Sequence, residues 1–372
     1  MSYLDKLLQG AEVGWKPLGE VADYEQPTKY LVQTNHYNER FKTPVLTAGK
    51  TFILGYTDET TGIYEASKNP VIIFDDFTTA NKWVDFDFKA KSSAMKMIKS
   101  KDDSAYSLKY IYYWLNTLPS GLVEGDHKRQ WISNYANLQI PIPCPNNPKK
   151  SLEIQKEIVR ILDTFTELTA ELTAELTARK KQYNYYREQL LRFEEGEVEW
   201  KTLGEVGEIK RGVAFTKKQS VLGKFPVVAN SAEPISFHDE SNREGEFIVV
   251  ARSGANAGLI SYWNEELFLT DAFSIHPNNS ILNTKFAFYF LKKHQREIHL
   301  MKRGSGVPHV RASDFEIYKI PIPPLEEQAR IVSILDKFDT LTTSISEGLP
   351  KEIALRKKQY EYYRDLLLTF NP

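Results

Sequence analysis

The sequence predicts a mixed α/β protein written twice. Two small α/β domains are separated by two long antiparallel helices, and a pseudo-twofold relates the halves. Three observations carry this expectation. Four short blocks recur in the same order: WKPLGEV (15–21) as WKTLGEV (200–206), Ile-Pro-Ile-Pro at 140–143 and 320–323, EIVRILDTF (157–165) as RIVSILDKF (330–338), and RKKQYNYYR (179–187) as RKKQYEYYR (356–364). Their separations, 173 to 185 residues, identify an internal duplication. The last two blocks ride on long apolar stripes at helical spacing, while the stretches between blocks mix strand-like and helix-like runs.

The expected elements follow in chain order. The first domain spans 1–143, with a buried strand at PVIIF (70–74) and a helix at SLKYIYYWLNTL (107–118). A central helical spacer spans 144–196, its stripe running from Ile154, Ile158 and Ile161 to Tyr183, Tyr186 and Leu190 at steps of 3, 4 or 7. The second domain spans 197–323, with strands at EFIVVA (246–251) and LFLTDAFSIH (267–276) and a helix at 284–298. A C-terminal helix spans 324–372, opened by Pro324, Glu326 and Glu327 and interrupted near Gly348 and Pro350. Helices of this length do not bury their stripes alone, so the two are expected to pair. Tyr3, Leu7 and Leu8 precede Trp15 much as Tyr186, Leu190 and Leu191 precede Trp200, which implies a near-circular arrangement of the halves.

Composition excludes some classes. One cysteine, Cys144, forbids an internal disulfide. The start of the chain lacks the apolar core of a signal peptide, and no apolar run approaches the ~18 residues of a membrane span, so a cytoplasmic protein is expected. Net charge is −1 overall, but the small positive excess, +1 over 1–150 and +3 over 200–323, falls in the two domains. No phosphate loop, amino-methyl-transfer tetrad, HExxH or Cys/His zinc spacing occurs. Glu208-Ile209-Lys210 fits only the tail of a nuclease signature. His294 and His299, five apart, suit a solvated basic face better than a metal, and no metal or catalytic residue is assigned.

Recognition signals are stronger. FKAKSSAMKMIKSK (88–101) holds five lysines and no acid, and residues 284–311 hold seven Lys/Arg against Glu297. Such residues neutralise phosphates, and polar side chains on nearby turns read base edges. The candidate DNA-binding residues in the first domain are Thr79, Asn81, Lys82, Lys89, Lys91, Ser92, Lys128 and Arg129. Those in the second are Arg252, Ser253 and Asn256 on the small-residue turn ARSGANAG, with Lys302, Arg303, Ser305, His309 and Arg311. The duplicated RKKQYxYYR supplies Arg179, Lys180, Tyr183, Tyr186 and Arg187, and Arg356, Lys357, Tyr360, Tyr363 and Arg364. These serve partner docking, helix pairing, or both on different faces.

One stretch repeats at a shorter period: Leu-Thr-Ala-Glu at 168–171 and 172–175, beginning again at Leu176. One such unit lengthens a helix by about 6 Å and turns it by a net ~40°. One base pair advances B-DNA by ~3.4 Å and turns it by roughly 35°. Were the chain to read two DNA half-sites, as the resemblance given next implies, Leu168, Leu172 and Leu176 would form a ruler graduated in steps of about one base pair.

These features together resemble the specificity (S, HsdS) subunit of type I restriction–modification systems. The likeness covers essentially the whole chain: two target-recognition domains, two conserved helical regions, IPIPPLEEQARIVSILDKF after the second domain, and the Leu-Thr-Ala-Glu repeats, which look most like the IC subgroup. The resemblance implies a non-catalytic subunit that reads a bipartite target in double-stranded DNA. It implies two modification (M, HsdM) subunits, making an adenine-N6 methyltransferase, and restriction (R, HsdR) subunits for an ATP-dependent endonuclease. S-adenosylmethionine, ATP and Mg2+ are then expected on those partners, none on this chain. The rival readings are a stand-alone DNA methyltransferase or nuclease, and a coiled-coil interaction protein without a DNA role. One departure from symmetry is expected: the step from Asp163 to Arg179 is 16 residues, that from Asp336 to Arg356 is 20.

Overall fold

The computed structural model describes residues 7–8, 10, 12–49, 51–118, 129–194, 196–215, 223–304 and 306–370. The chain divides into two compact units, residues 1–171 with 353–372, and residues 172–352. The division at Glu171/Leu172 falls inside the Leu-Thr-Ala-Glu repeat.

In the first unit, β1 (Val13–Pro17) leads through a one-turn helix α1 (Leu18–Val21) into β2 (Ala22–Glu25). Then come β3 (Thr43–Leu46), β4 (Ile53–Thr57), β5 (Val71–Asp75), β6 (Asn81–Val84), β7 (Lys89–Ala90) and β8 (Met95–Ser100). Helix α2 (Leu108–Leu115), the short α3 (Gln130–Ser133) and β9 (Gln139–Pro143) complete the domain. Strand order is β2-β8-β5-β6 in one sheet, β4-β3-β7 in a second and β1-β9 in a third. The duplicated blocks form that third sheet, with Trp15 opposite Pro141.

Helix α4 (Pro148–Leu190) is one unbroken helix of 43 residues, about 65 Å at ~1.5 Å per residue. It supplies residues 148–171 to the first unit and 172–190 to the second.

In the second unit come β10 (Glu199–Thr202), the one-turn α5 (Leu203–Val206) and β11 (Gly207–Arg211). Next are β12 (Phe225–Val228), β13 (Ser236–His238), β14 (Glu246–Ala251), β15 (Ile260–Asn264), β16 (Phe268–Leu269) and β17 (Ala272–Pro277). Helices α6 (Thr284–Lys293), α7 (Gln295–Leu300) and α8 (Ala312–Glu316) precede β18 (Lys319–Ile322). Strand order is β11-β17-β14-β15, β13-β12-β16 and β10-β18, strand for strand that of the first unit. Trp200 faces Pro321 as Trp15 faces Pro141. The two domains thus share a topology that their sequences between the blocks conceal.

The strands read as continuous apolar runs because both faces are covered. Ile72, Phe74 and Ile98 pack under α2 with Tyr110, Ile111 and Trp114, while Val71, Ile73, Met95 and Met97 pack on the other side with Leu46 and Phe88. In the second unit Ile248, Val250 and Ile275 pack with Phe286 and Phe290, and Phe247 and Val249 with Val228 and Leu269. The constant helices close each core: Ile154, Ile158, Leu162 and Leu367 in the first, Leu191, Ile331 and Leu335 in the second. Leu7 and Leu8 pack on the first core as Leu190 packs on the second; Tyr3 lies outside the described residues.

The expected strand at 267–276 is two strands, split at Asp271, whose φ of +42° breaks the ladder. The expected helix at 284–298 breaks at His294 into α6 and α7. The C-terminal region is likewise two helices, α9 (Leu325–Thr343) and α10 (Leu349–Leu368), parted at residues 344–348. Gly348 is required there, because a Cβ would lie 2.3 Å from the Thr340 carbonyl oxygen. The four residues by which this helical region exceeds the central one are thus matched by a loop. No helix among the described residues is long and apolar enough to cross a membrane.

Candidate nucleic-acid interface

The second unit carries a built polar groove. The turn between β14 and β15 crosses the segment after α7 and the β16–β17 corner, enclosing about 620 Å³ between Arg211, Phe215, Arg252, Asp271, His309 and Arg311. Gly254 allows the turn: its φ of +77° suits glycine, and its N–H donates to Pro308 O at 3.0 Å. Arg303 and His309 exchange backbone hydrogen bonds of 2.9 and 3.0 Å, and Arg303 also donates to Asp314 at 3.1 Å. Lys302 ties back to Ala255 O at 2.9 Å.

Asn230 organises the floor. Its Nδ2 donates to Ser253 Oγ at 2.9 Å and Asp271 Oδ2 at 2.6 Å, and its Oδ1 accepts from the amides of Arg252 and Ser253. Ser253 Oγ donates to Asp271 at 2.9 Å, and Asn256 Nδ2 donates to Asn230 O at 2.9 Å. Arg252 stays exposed, 3.7 Å from Asp271 Oδ1. Such loosely paired arginines are free to trade a weak surface partner for a phosphate or a guanine edge. Of the candidates here, Arg252, His309 and Arg311 line the groove, Ser253 and Asn256 belong to its hydrogen-bonded rim, and Lys302 and Arg303 buttress it. Ser305 lies outside the described residues. Arg211 and Asp271 also line the groove and Asn230 braces its floor, though no motif in the sequence marks them. Asp271-Ala272 within an apolar run was the available sign of a corner.

The first unit treats the corresponding corner differently. Thr79 sits on the β5–β6 turn at φ +63°, held by its amide to Asp75 O at 2.9 Å. Asn81 accepts from Asn116 Nδ2 at 3.1 Å, whereas Lys82 and Arg129 are exposed. Lys128 lies outside the described residues. Lys89 must be withdrawn: only 2% exposed, it pairs with Glu59 at 2.7 Å and donates to Thr61 O at 2.7 Å. The wider reading of 88–101 as a basic surface falls with it. Lys96 is buried against Asp76 at 3.5 Å and the Tyr24 ring, and Lys99 pairs with Glu25 at 2.7 Å. Both faces of β8 are covered where Lys96 sits, and acids from elsewhere in the unit, Asp76 for Lys96 and Glu59 for Lys89 on β7, neutralise the inward lysines. Half-buried Lys91 hydrogen-bonds Asn35, leaving Ser92 exposed beside it.

The basic stretch at 284–311 is also partly internal. Lys285 binds Asp336 at 2.7 Å, Lys292 donates to Ile260 O at 3.0 Å and Lys293 to Leu191 O at 3.0 Å. His294 and His299 are half-buried rather than solvated, their Nδ1 atoms each 2.9 Å from the carbonyls of Phe290 and Ala257.

On the constant helices the tyrosines of the motif take different settings, Tyr186 itself being 38% exposed. Phe338 of α9 stacks on Tyr186 at 5.5 Å and lies 6.1 Å from Tyr183; in the first unit Phe165 of α4 stacks on Tyr363 at 5.2 Å. Tyr360 lies 6.3 Å from Tyr113, and burial pushes its hydroxyl up to about 12. These four tyrosines thus meet the aromatic residues of their own unit. The third tyrosine of each motif, absent from the expected set, faces outward: Tyr185 is 62% and Tyr362 63% exposed. Arg187 and Arg364 lie over the rings of Tyr183 and Tyr360, Arg179 and Arg356 hydrogen-bond Gln182 and Gln359, and Lys180 and Lys357 are exposed. Leu168, Leu172 and Leu176 are half-buried within the unbroken α4.

Residues 12–179 and 195–355 each match the family described as type I restriction modification DNA specificity domain. The chain is 55% identical over 394 residues to the EcoR124I/EcoR124II type I restriction enzyme specificity subunit of Escherichia coli, covering 100% of this chain and 97% of that protein. The EcoprrI specificity subunit of Escherichia coli is 31% identical, covering 93% of this chain and 92% of its own. Among solved structures, the type I restriction-modification S subunit from M. genitalium superposes with a TM-score of 0.70 at 19% identity, covering 98% of both chains. A second solved chain, from a study of type I R-M complex assembly, superposes with a TM-score of 0.56 at 17% identity, covering 95% of this chain and 96% of its own. Duplicated blocks, paired domains of one topology and these likenesses lead to one conclusion: the chain belongs to the type I restriction–modification DNA specificity family.

Proposed function

We propose that this chain is the DNA-reading subunit of a type I restriction–modification complex, non-catalytic itself, in which each α/β domain reads one half of a bipartite duplex target. The observation that carries this reading is the repetition of one domain topology on two copies of one helical block, with different polar side chains at the corresponding corners. The conserved helices set the distance between half-sites and dock two modification (M) subunits. The equal exposure of Tyr185 and Tyr362 supports two copies of one docking surface. The assembled complex is then an adenine-N6 DNA methyltransferase in the cytoplasm, and with restriction (R) subunits an ATP-dependent endonuclease. S-adenosylmethionine, ATP and Mg2+ belong to those partners.

The domain limits 1–143 and 197–323 and the DNA-contact set belong to the same proposal: Thr79, Asn81, Lys82, Lys91, Ser92, Lys128 and Arg129 in the first domain, and Arg252, Ser253, Asn256, Lys302, Arg303, Ser305, His309 and Arg311 in the second. Arg211 joins the latter group. Mapping methylated adenines in cells carrying the complex tests it. Two short half-sites at a fixed spacing are expected, and replacing residues 207–319 with those of another family member should change one half only. A single undivided target, or a swap that changes neither half, overturns the reading.

A further inference from the structure

One constellation occurs in both units and lies away from the polar corners. In the first, Lys109 and Tyr113, one turn apart on α2, both grip Asp163 of α4: Nζ lies 2.8 Å and the hydroxyl 2.5 Å from its carboxylate. Lys109 also sits over the Trp83 ring at 5.4 Å. Just over two turns earlier on α4, fully buried Gln155 accepts from the Ser107 amide at 2.9 Å and donates to Ala105 O at 3.0 Å. Ser107 is the N-cap of α2.

The second unit repeats every part. Lys285 and Tyr289 of α6 grip Asp336 at 2.7 and 2.6 Å, and Lys285 sits over the Tyr262 ring at 5.3 Å. Fully buried Gln328 accepts from Asn283, the N-cap of α6, at 2.7 Å and donates to Ile281 O at 3.0 Å. Aligned on the gripping pair, LKYIYYWL and TKFAFYFL share only the lysine, the tyrosine and the last leucine. The apolar partners drifted while the polar contacts stayed.

That pattern has a physical meaning. Apolar packing holds a helix against its support but is non-directional. Hydrogen bonds are restricted in both distance and angle. Contacts at the N-cap and along the helix, made to two points of the same spacer helix, leave the recognition domain one rotational setting. We propose that Asp163 and Asp336, with their Lys-Tyr grips and the Gln155 and Gln328 anchors, are positioning residues that fix the angle of each recognition domain on its spacer helix. They thereby set how strictly the complex discriminates the length of the DNA between half-sites. This rests on the bipartite reading above.

The test uses the full complex with its partner subunits. Methylation is measured on DNA carrying the native spacer, spacers one base pair longer or shorter, and a native spacer with one half-site base changed. For Asp163→Ala and Asp336→Ala, the preference for native spacing should fall about tenfold, the scale of a lost charged hydrogen bond. Half-site preference should stay put. The reversed pair Lys109→Asp with Asp163→Lys should restore spacer preference. Should the alanine variants fail to assemble, Tyr113→Phe and Tyr289→Phe remove one hydroxyl each and carry the same expectation at smaller amplitude. Unchanged spacer preference, an equal loss of half-site preference, or no restoration by the reversed pair overturns the proposal. A wild-type complex indifferent to spacing would instead overturn the bipartite reading.

Discussion

The two recognition domains solve one topological problem with different chemistry at the same corner. The residue following β5 is Asp76, and the residue following the equivalent β14 is Arg252. Their carbonyls play the same part, accepting from the amides of Gln130 and Val310 at 2.8 and 2.9 Å. The side chains diverge. Asp76 is 2% exposed, neutralises Lys96 and accepts from the Trp131 amide at 2.9 Å. Arg252 is 61% exposed with a distant acidic partner. A buried pair is structural, because removing one member strands an uncompensated charge. An exposed, loosely held arginine contributes little to stability and remains available to a ligand. The same backbone position is therefore buried and paired in one domain and exposed and loosely paired in the other.

The comparison can be pressed hardest at the segment joining the two units. Deleting Leu172–Glu175 keeps α4 helical and both domains intact, so both half-sites should survive while the preferred spacer shortens by one base pair. Methylation at the original spacing should fall about 100-fold, as expected when reacting groups are misplaced. Full activity at the original spacing alone would refute the ruler.

A second measurement separates architecture from recognition. Asp76→Ala should destabilise its unit by about 3–5 kcal/mol, whereas Arg252→Ala, which removes only an exposed and distant ion pair, should cost no more than about 1 kcal/mol. Denaturant unfolding of the full chain reads both, and equal losses would erase the distinction. On DNA the order reverses. Arg252→Ala or Arg311→Ala should each weaken binding by the complex and lower the salt slope by about 1, while Lys89→Ala leaves the slope unchanged.

The smallest effect concerns pH. Burial against Phe247, reinforced by Lys210 and Arg243 and opposed by Glu208, pushes the His276 imidazole down to about 4. Below its usual value near 6.5 the unfolded chain takes up a proton that the folded one refuses. The stability contributed by neutral His276 is therefore present above pH ~6.5 and lost progressively toward pH ~4. In His276→Gln this part of the decline should vanish from thermal unfolding curves. The first unit has Lys99 where the strand register of β17 places His276, so the effect should be confined to the second.

Much of the architecture was legible in the residues. The repeated blocks announced the duplication, the stripe from Ile154 to Leu190 announced an unbroken helix, and Gly348 with Pro350 announced the break between α9 and α10. The shared domain topology was not legible, because covered sheets and helix faces accept many apolar residues of similar size. The split at Asp271 left only one sign, an aspartate inside an apolar run, because a single left-handed residue disturbs no periodicity.

Sites were less legible than folds. A run of lysines specifies charge but not direction: Lys89 and Lys91 are two apart, the spacing that shares a strand face, yet Lys89 is buried against Glu59 while Lys91 is half-buried beside exposed Ser92, because β7 ends at Ala90. RKKQYxYYR did not say which tyrosines face inward, since Tyr183 and Tyr185 differ only in the helical angle at which they leave the axis. Sequence alone determined the duplication, the helical spacer with its four-residue repeat, and the family, because these are properties of order along the chain. Tertiary structure decided which charges are paired and buried, which tyrosines face outward, and that Asp163 and Asp336 fasten each domain to its helix. Those depend on residues distant in sequence meeting at hydrogen-bond distance, which no local pattern encodes.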